Sequence, residues 1–469
     1  MKLNNKEVSY LYIDDTIAAI ATAPGEGGIG IVRISGEKAL DIAESVFESV
    51  NKKNIKDYNP RTLIYGNIID DGKIIDEVLL AYMKGPHTYT KEDVIEINCH
   101  GGFISVKKIL ELVLKKGARL SEGGEFTKRA FLNGRIDLSQ AEAVMDIINA
   151  KTDLSYNVAQ SQLEGSLSFK IKELRNKVTE LLAHVEVAID FPDEDVEHIT
   201  YENLYNKSKE LRKEIKNLYE TSETGKIIRD GLKTVIVGKP NVGKSSLLNA
   251  ILKESRAIVT DIPGTTRDVI EEFVNISGIP LKIIDTAGIR ETEDIVEKIG
   301  VQKSRESFES ADLAILVLDA SRCLSVEDID ILENVKDKNT IVLINKTDLE
   351  NKIDEDKIKE YIDEKRIIKI SALERKGIDK LENEIADMVY KGNVSQGDSV
   401  MITNVRHKDS LEKAIKSIND AIKAIEDNMA LDFIEVDLKN IWDYLGEVSG
   451  DTVSEDLLDT IFRDFCIGK

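Results

Sequence analysis

Gly238-Lys-Pro-Asn-Val-Gly243-Lys244-Ser245 combines residue types and a spacing that suit one task, the holding of a polyphosphate. Glycines let backbone amides curl around anionic oxygens, and a following helix adds the partial positive charge of its first turn. Lys244 is placed to reach the β and γ phosphates, with the Ser245 hydroxyl on Mg²⁺. Asn241, Val242, Gly243, Lys244, Ser245 and Ser246 form this first set. The context fits, because residues 234–237 read as an apolar strand and residues 246–253 as a helix.

Four further loops follow in chain order. Thr265 and Thr266 lie in Gly264-Thr-Thr-Arg-Asp268, where a threonine can complete a Mg²⁺ shell. Asp285-Thr286-Ala287-Gly288 ends the apolar run 281–284, which sets Asp285 near the metal and the Gly288 amide near the γ-phosphate. Asn345-Lys346-Thr347-Asp348 ends the run 340–344, and an aspartate there accepts from both the N1–H and the exocyclic amine of guanine, a pairing adenine does not offer. Ser371-Ala372 ends the run 367–370, beside the base edge. Loops of this kind at successive strand ends describe the carboxyl edge of a doubly wound parallel sheet, and the chemistry is Mg²⁺-dependent GTP hydrolysis. The water-positioning group is open at this level. Ile289 holds the place that a glutamine fills in Ras-type enzymes, leaving Glu291, Glu293 and Glu297 as candidates, with Arg290 and Arg267 as candidate arginine fingers.

The elements that carry these loops occupy roughly residues 225–380, as an α/β domain. Residues 1–120 mix short strands (16–23, 31–34, 62–69, 77–83, 94–98) with amphipathic helices over 37–50 and 103–116. Residues 121–224 are helical apart from a break at Phe191-Pro192, and residues 381–469 are helical again. An α/β domain between two helical stretches predicts an insertion into one bundle. The chain has 469 residues, enough for several cores. Its net charge of −22 excludes coating nucleic acid by bulk electrostatics. Residues 381–469 are the most acidic part, with 9 Lys and Arg against 19 Asp and Glu, so any RNA contact belongs to a local patch elsewhere or to a partner. Three scattered cysteines (Cys99, Cys323, Cys466), residues 1–15 without an apolar signal stretch, and no long apolar run predict a reducing, cytoplasmic setting without a membrane span.

With these motifs in hand, the chain resembles the MnmE (TrmE) family of tRNA-modification GTPases. The likeness extends to Asp15-Thr-Ile-Ala-Ala-Ile-Ala-Thr-Ala-Pro-Gly-Glu-Gly-Gly-Ile-Gly-Ile-Val-Arg-Ile-Ser35, Gly124-Glu-Phe-Thr-Lys-Arg-Ala-Phe-Leu-Asn133, Ala188-Ile-Asp-Phe-Pro-Asp193 and the terminal Cys466-Ile-Gly-Lys469. The resemblance implies an N-terminal α/β folate-binding domain that also dimerises, a helical domain interrupted by a Ras-like P-loop G domain, and a homodimer. It implies a flavin-dependent partner, with a heterotetramer between them, and a tetrahydrofolate (5-formyl or methylene) that carries the one-carbon unit. The product is an aminomethyl or carboxymethylaminomethyl group on the wobble uridine of tRNA. It also implies that K⁺ replaces an arginine finger, on Asn241, Thr260, Ile262 and Thr265, and that Mg²⁺ takes Ser245 and Thr266. Glu297 is the family's water-positioning glutamate. Folate binding falls to Arg33, Glu96, Arg135 and Lys469, with Arg135 standing where relatives carry Lys.

Three lesser signals lead elsewhere. Gly25-Glu-Gly27-Gly-Ile-Gly30 has dinucleotide-fingerprint letters, but a strand is expected after it instead of a helix. Cys466 lies four from the end like a prenylation box, whose last residues Gly468 and Lys469 do not fit. His100-Gly-Gly102 reads as a turn. The competing functional class is a ribosome-assembly GTPase acting as a binding switch, against which the acidic tail argues.

Overall fold

A computed structural model describes residues 15–190, 201–254, 257–258, 272–284, 308–390 and 400–469. They divide into two units, residues 15–145 with 446–469, and residues 146–445.

The first unit is built on β1 (Ile17–Ile20), β2 (Gly27–Ser35), β3 (Phe47–Ser49), β4 (Leu63–Asp70), β5 (Lys73–Met83), β6 (Val94–Gly101) and β7 (Arg119–Leu120). They form one sheet in the order β3-β4-β5-β6-β2-β1-β7. Neighbours are antiparallel except β1 and β7. The two-residue period of a strand decides what faces where. Val32 and Ile34 on β2, with Ile95 and Ile97 on β6, enter a core shared with Val106, Ile109 and Val113 of the helix Phe103–Lys115. Arg33 therefore points to the other face, opposite Glu96 in the β2–β6 register. On that other face Ile17, Ala19 and Phe126 form a second buried cluster. β4 and β5 join through Asp71 (φ 47°) and Gly72 (φ 81°), the left-handed pair that a tight twisted hairpin needs. The helix expected over 37–50 is shorter. It spans Ala39–Glu44, the Ser45 hydroxyl donates to the Ile42 carbonyl at its end, and Phe47, in β3, pairs with Ile68 of β4. Because β2 continues through residues 31–34, the glycine run beginning at Gly25 leads into a strand, as the sequence indicated.

The last residues of the chain seal this unit. After the helix Glu455–Arg463, Ile467 bridges to Gly123, and the Gly124 amide donates to the Cys466 carbonyl at 3.2 Å. Gly468 has φ 89°, and a Cβ there would lie 2.2 Å from the Ile20 carbonyl oxygen. Only glycine fits.

The second unit carries β8 (Leu232–Val237), β9 (Ala257–Ile258), β10 (Glu272–Ile276), β11 (Ile279–Ile284), β12 (Leu313–Asp319), β13 (Thr340–Asn345) and β14 (Ile367–Lys369). The order is β14-β13-β12-β8-β11-β10-β9. The five from β14 to β11 are parallel, and β10 runs antiparallel to β11 and β9. Every residue of β12 and β13 is buried, as a strand covered on both faces requires.

Helices before and after this sheet pack together. The helix Ser166–Asp190 buries Leu167, Ile171, Leu174, Val178, Leu181 and Val185, three and four residues apart. The helix Tyr201–Glu220 lies along Val405–Glu426. Tyr205 donates to Glu426 at 2.9 Å and Arg212 to Asn419 at 3.2 Å. Where the chain enters and leaves the α/β part, the Thr224 hydroxyl donates to the Val389 carbonyl at 3.0 Å. The α/β part is thus an insertion, and the helices on its two sides form one bundle. Among the described residues no helix is long and apolar enough to cross a membrane.

Candidate functional site

In the second unit the loop after β8 turns sharply at Gly238 (φ 142°), Asn241 (φ 64°) and Gly243 (φ 103°). A Cβ on Gly238 would stand 2.5 Å from the Val317 carbonyl oxygen, and one on Gly243 would stand 2.3 Å from the Asn345 amide nitrogen. The two glycines are therefore required by close approach as well as by φ. The helix Lys244–Glu254 begins directly after them. Lys244 is half-buried, and its ammonium donates to the Gly238 and Lys239 carbonyls at 2.7 and 2.8 Å. Its partners among the described residues are carbonyls, and burial lowers its pKa.

Two consecutive residues at the end of β13 grip the loop. Asn345 is buried. Its amide nitrogen donates to the Val242 carbonyl at 2.9 Å, and its amide oxygen accepts from the Ala372 N–H at 3.0 Å. Lys346, itself left-handed at φ 67°, donates to the Asn241 carbonyl at 2.7 Å. A trans peptide directs its C=O and N–H in opposite senses. Drawing the carbonyls of residues 241 and 242 toward β13 thus turns the amides of Val242 and Gly243 the other way, into the loop. Ser371 donates to Asp348 at 2.6 Å, fixing the carboxylate that the sequence assigns to guanine. The structure thus brings Asn241, Val242, Gly243, Lys244, Asn345, Lys346, Asp348, Ser371 and Ala372 to one edge of the sheet. Ser245 and Ser246 open the helix there.

Thr260, Ile262, Thr265, Thr266, Arg267, Asp285, Thr286, Ala287, Gly288, Arg290, Glu291, Glu293 and Glu297 lie outside the described residues.

Sequence reasoning did not single out Asp319. It ends β12 in register with Asn345, and its carboxylate Oδ2 accepts from Lys346 at 2.7 Å. Its position at the end of a parallel strand was the available signal.

In the first unit Arg33 and Glu96 meet across β2 and β6, with Nε–Oε1 at 2.9 Å and Nη2–Oε1 at 2.8 Å. Arg33 also donates to the Gly468 carbonyl at 3.1 Å and stands 5.7 Å from the Phe126 ring centroid. Lys469 follows at once, its amide donating to the Cys466 carbonyl at 3.3 Å. Arg33, Glu96 and the backbone beside Lys469 therefore converge. Arg135 is held by a different neighbour, the Tyr89 carbonyl at 3.2 Å and the Tyr89 ring at 4.7 Å. Phe126 and Tyr89 were not found from the sequence, because nothing in their spacing links them to Arg33.

The same unit holds an ion cluster whose centre, Arg129 and Glu125, is buried. Arg129 contacts Glu125 at 3.0 Å, Asp15 at 2.6 Å and Glu92 at 3.1 Å, and Arg119 contacts Glu125 at 2.6 Å. Burial would raise the Glu125 carboxyl, but Arg119, the Glu122 amide and Arg129 outweigh it and hold the pKa below the usual range. Asp15 is likewise lowered against its desolvation, by Arg119 and Arg129. Among the described residues no group of three or more His, Cys, Asp or Glu side chains suits a metal ion.

Residues 138–466 match the family model described as the MnmE helical domain, and residues 16–135 match the one described as the GTP-binding protein TrmE N-terminus. The tRNA modification GTPase MnmE of Clostridioides difficile (strain 630) is 72% identical over 459 residues, covering 98% of this chain and 100% of the relative. Its counterpart from Alkaliphilus metalliredigens (strain QYMF) is 62% identical over 98% of this chain and 100% of the relative. The counterpart from Bacillus subtilis (strain 168) is 52% identical over 97% and 100%. Among solved structures, the FeoB G-domain from Methanococcus jannaschii covers 33% of this chain and 96% of that chain at 24% identity. Its TM-score of 0.24 is too low to add to the argument.

Proposed function

The chain belongs to the MnmE (TrmE) family of tRNA-modification GTPases, and from that premise we propose that its GTP hydrolysis drives addition of an aminomethyl or carboxymethylaminomethyl group to the wobble uridine of tRNA. The enzyme is a GTPase with a role in tRNA modification. The finer steps are our reading. A flavin-dependent partner protein and a tetrahydrofolate-bound one-carbon unit take part, and the setting is cytoplasmic.

The observation that carries the nucleotide half is the grip of Asn345 and Lys346 on the carbonyls of residues 241 and 242, which aims two backbone amides into the loop. Lys244, half-buried and without a carboxylate partner among the described residues, supplies the cation that a β,γ-phosphate satisfies. Asp348, steadied by Ser371, reads the guanine edge. Ser245 and Thr266 would hold Mg²⁺, and Asn241, Thr260, Ile262 and Thr265 would hold K⁺; when bound, these ions would supply positive charge against the charge that develops on the transferred phosphoryl group. Two observations support the fit. The cradle excludes any Cβ at positions 238 and 243, and Asn241, whose amide oxygen suits a monovalent cation, sits at the loop's left-handed corner. Glu297 orients the attacking water. Thr286, Ala287 and Gly288 with Asp285 complete the γ-phosphate side.

For folate we assign Arg33, Glu96, Arg135 and Lys469. A guanidinium, a carboxylate and the Phe126 ring within 5.7 Å of Arg33 suit a flat heteroaromatic ring with donor and acceptor edges. For a homodimer, the first unit offers Leu63 and Tyr65 on β4 and Leu79 on β5, all exposed. Tyr65 and Leu79 are direct cross-strand neighbours.

The test of the whole reading is mass spectrometry of wobble uridines in a strain lacking this gene, complemented with wild type or Lys244→Ala. Modified uridine restored by the wild type alone supports it, and a normal profile without the gene refutes it. Hydrolysis in KCl should far exceed hydrolysis in NaCl, and equal rates would remove the K⁺ assignment. Glu297→Ala should bind GTP normally yet turn over at least 100-fold more slowly.

A further inference from the structure

Asp319 lies outside every nucleotide loop that the sequence displays, yet its two carboxylate oxygens do separate things. Oδ1 accepts from the Ser321 amide at 3.0 Å and from the Ser321 hydroxyl at 2.7 Å, which closes the turn after β12. Oδ2 accepts from Lys346 at 2.7 Å, and Arg322 approaches it at 3.5 Å. The Asp319 side chain is 4% exposed and that of Lys346 28%, so this second contact sets a buried carboxylate against a partly exposed ammonium. Burial alone would raise its pKa, but Lys346 and Ser321 together hold it below the usual carboxylate range. A residue needed only for the turn would use one oxygen.

From this arrangement we infer that Asp319 is a positioning residue for nucleotide binding, acting through Lys346 on the carbonyl of Asn241. The chain of contacts is short: Asp319 Oδ2 to Lys346 Nζ at 2.7 Å, then Lys346 Nζ to Asn241 O at 2.7 Å. Lys346 has a long, flexible stem, and one neutral carbonyl does not hold it in one rotamer. The buried carboxylate does. Fixing the ammonium fixes the Asn241–Val242 peptide plane, so the Val242 amide is already aimed at the phosphates before nucleotide arrives. Pre-organisation of this kind strengthens binding by removing an ordering cost. Lys239, also in the loop, is tethered to the same stretch of chain, donating to Ser325 at 2.8 Å with Asp328 at 3.7 Å. The segment 319–328 thus holds the phosphate loop from both ends of its apex.

The inference rests on the reading of Asn241 and Lys346 as nucleotide-binding groups, and its test separates the two. Asp319→Asn keeps an oxygen for the Ser321 turn but turns an amide donor toward Lys346. It should raise the GDP dissociation constant about tenfold in the full-length protein. The melting temperature without nucleotide should stay near wild type, and discrimination against ADP should persist because Asp348 is untouched. In a Lys346→Ala background the same change should add nothing, since the residue acts through that lysine. Ser321→Ala, which loosens the turn and spares Oδ2, should leave GDP affinity within about twofold. Wild-type affinity in Asp319→Asn beside weakened binding in Lys346→Ala overturns the inference alone. Full additivity in the double variant, or a Ser321→Ala loss as large as that of Asp319→Asn, overturns it too. Undiminished GDP binding in Lys346→Ala overturns the reading beneath it.

Discussion

Lys244 in the second unit, half-buried, and Arg129 in the first, buried, are cations treated in opposite ways. Lys244 is left with two carbonyls, and burial lowers its pKa. Arg129 is wrapped by Glu125, Asp15 and Glu92, which hold its proton more tightly than burial can loosen it. Lys244 meets no counter-charge among the described residues, a cost in stability that a bound phosphate would offset. Arg129 is neutralised by the chain itself. The two regions also differ in how a site is written along the chain. The phosphate and base loops are short runs at strand ends, whereas Arg33 meets Gly468 across 435 positions.

The sharpest way to break the contrast is to remove Lys244. Lys244→Ala should cut GTP hydrolysis about a thousandfold while the melting temperature without nucleotide holds or rises. A large loss of stability would mean that Lys244 is architectural after all. Removing one partner on the other side should do the reverse. Glu125→Gln strips a charge from the Arg119–Arg129 cluster and should destabilise the protein by about 3 kcal/mol in chemical denaturation, with hydrolysis per folded molecule unchanged. Gly468→Ala should cost about 2 kcal/mol through its collision with the Ile20 carbonyl and its left-handed backbone, read as faster hydrogen exchange at the Gly124 amide.

Acid sharpens the comparison with the smallest effect. The Glu125 and Asp15 carboxyls have lowered pKa values, so their stabilisation is full above their unfolded values, about 4, and is lost as pH falls through the lower folded ones. Melting temperature should drop by several degrees below about pH 4, and less steeply in Glu125→Gln. Lys244 has the opposite sign: its charge is disfavoured in the fold, so its cost is relieved only as pH rises toward the alkaline range.

How far the sequence could be read follows from the same difference. Gly238, Gly243, Lys244, Asn345 and Asp348 were legible because each obeys a local rule, a φ value, a strand end or a base edge, that survives in one dimension. The insertion of the α/β part was legible because hydrophobic periodicity changes at its borders. The shortening of the helix expected over 37–50 was not, since Phe47 is taken by pairing with Ile68, a tertiary choice that periodicity does not carry. Nor was Asp319, whose meaning depends on a lysine in the next strand. Phe126 and Tyr89 became visible only when the sheet brought them beside Arg33 and Arg135.

The bundle around the insertion has a consequence for biosynthesis. The helix Tyr201–Glu220 leaves the ribosome long before Val405–Glu426, the helix it lies along. At about 5 to 20 residues per second, the first waits roughly 10 to 40 s for the second. Throughout that interval the apolar stripe of Leu204, Leu211, Ile215 and Leu218 lacks this cover, and the nucleotide domain between them becomes complete only near its end. Gly468, which packs against Ile20, is made later still. A nascent chain of this protein therefore completes its GTP-binding part before the seam between Tyr201–Glu220 and Val405–Glu426 can close.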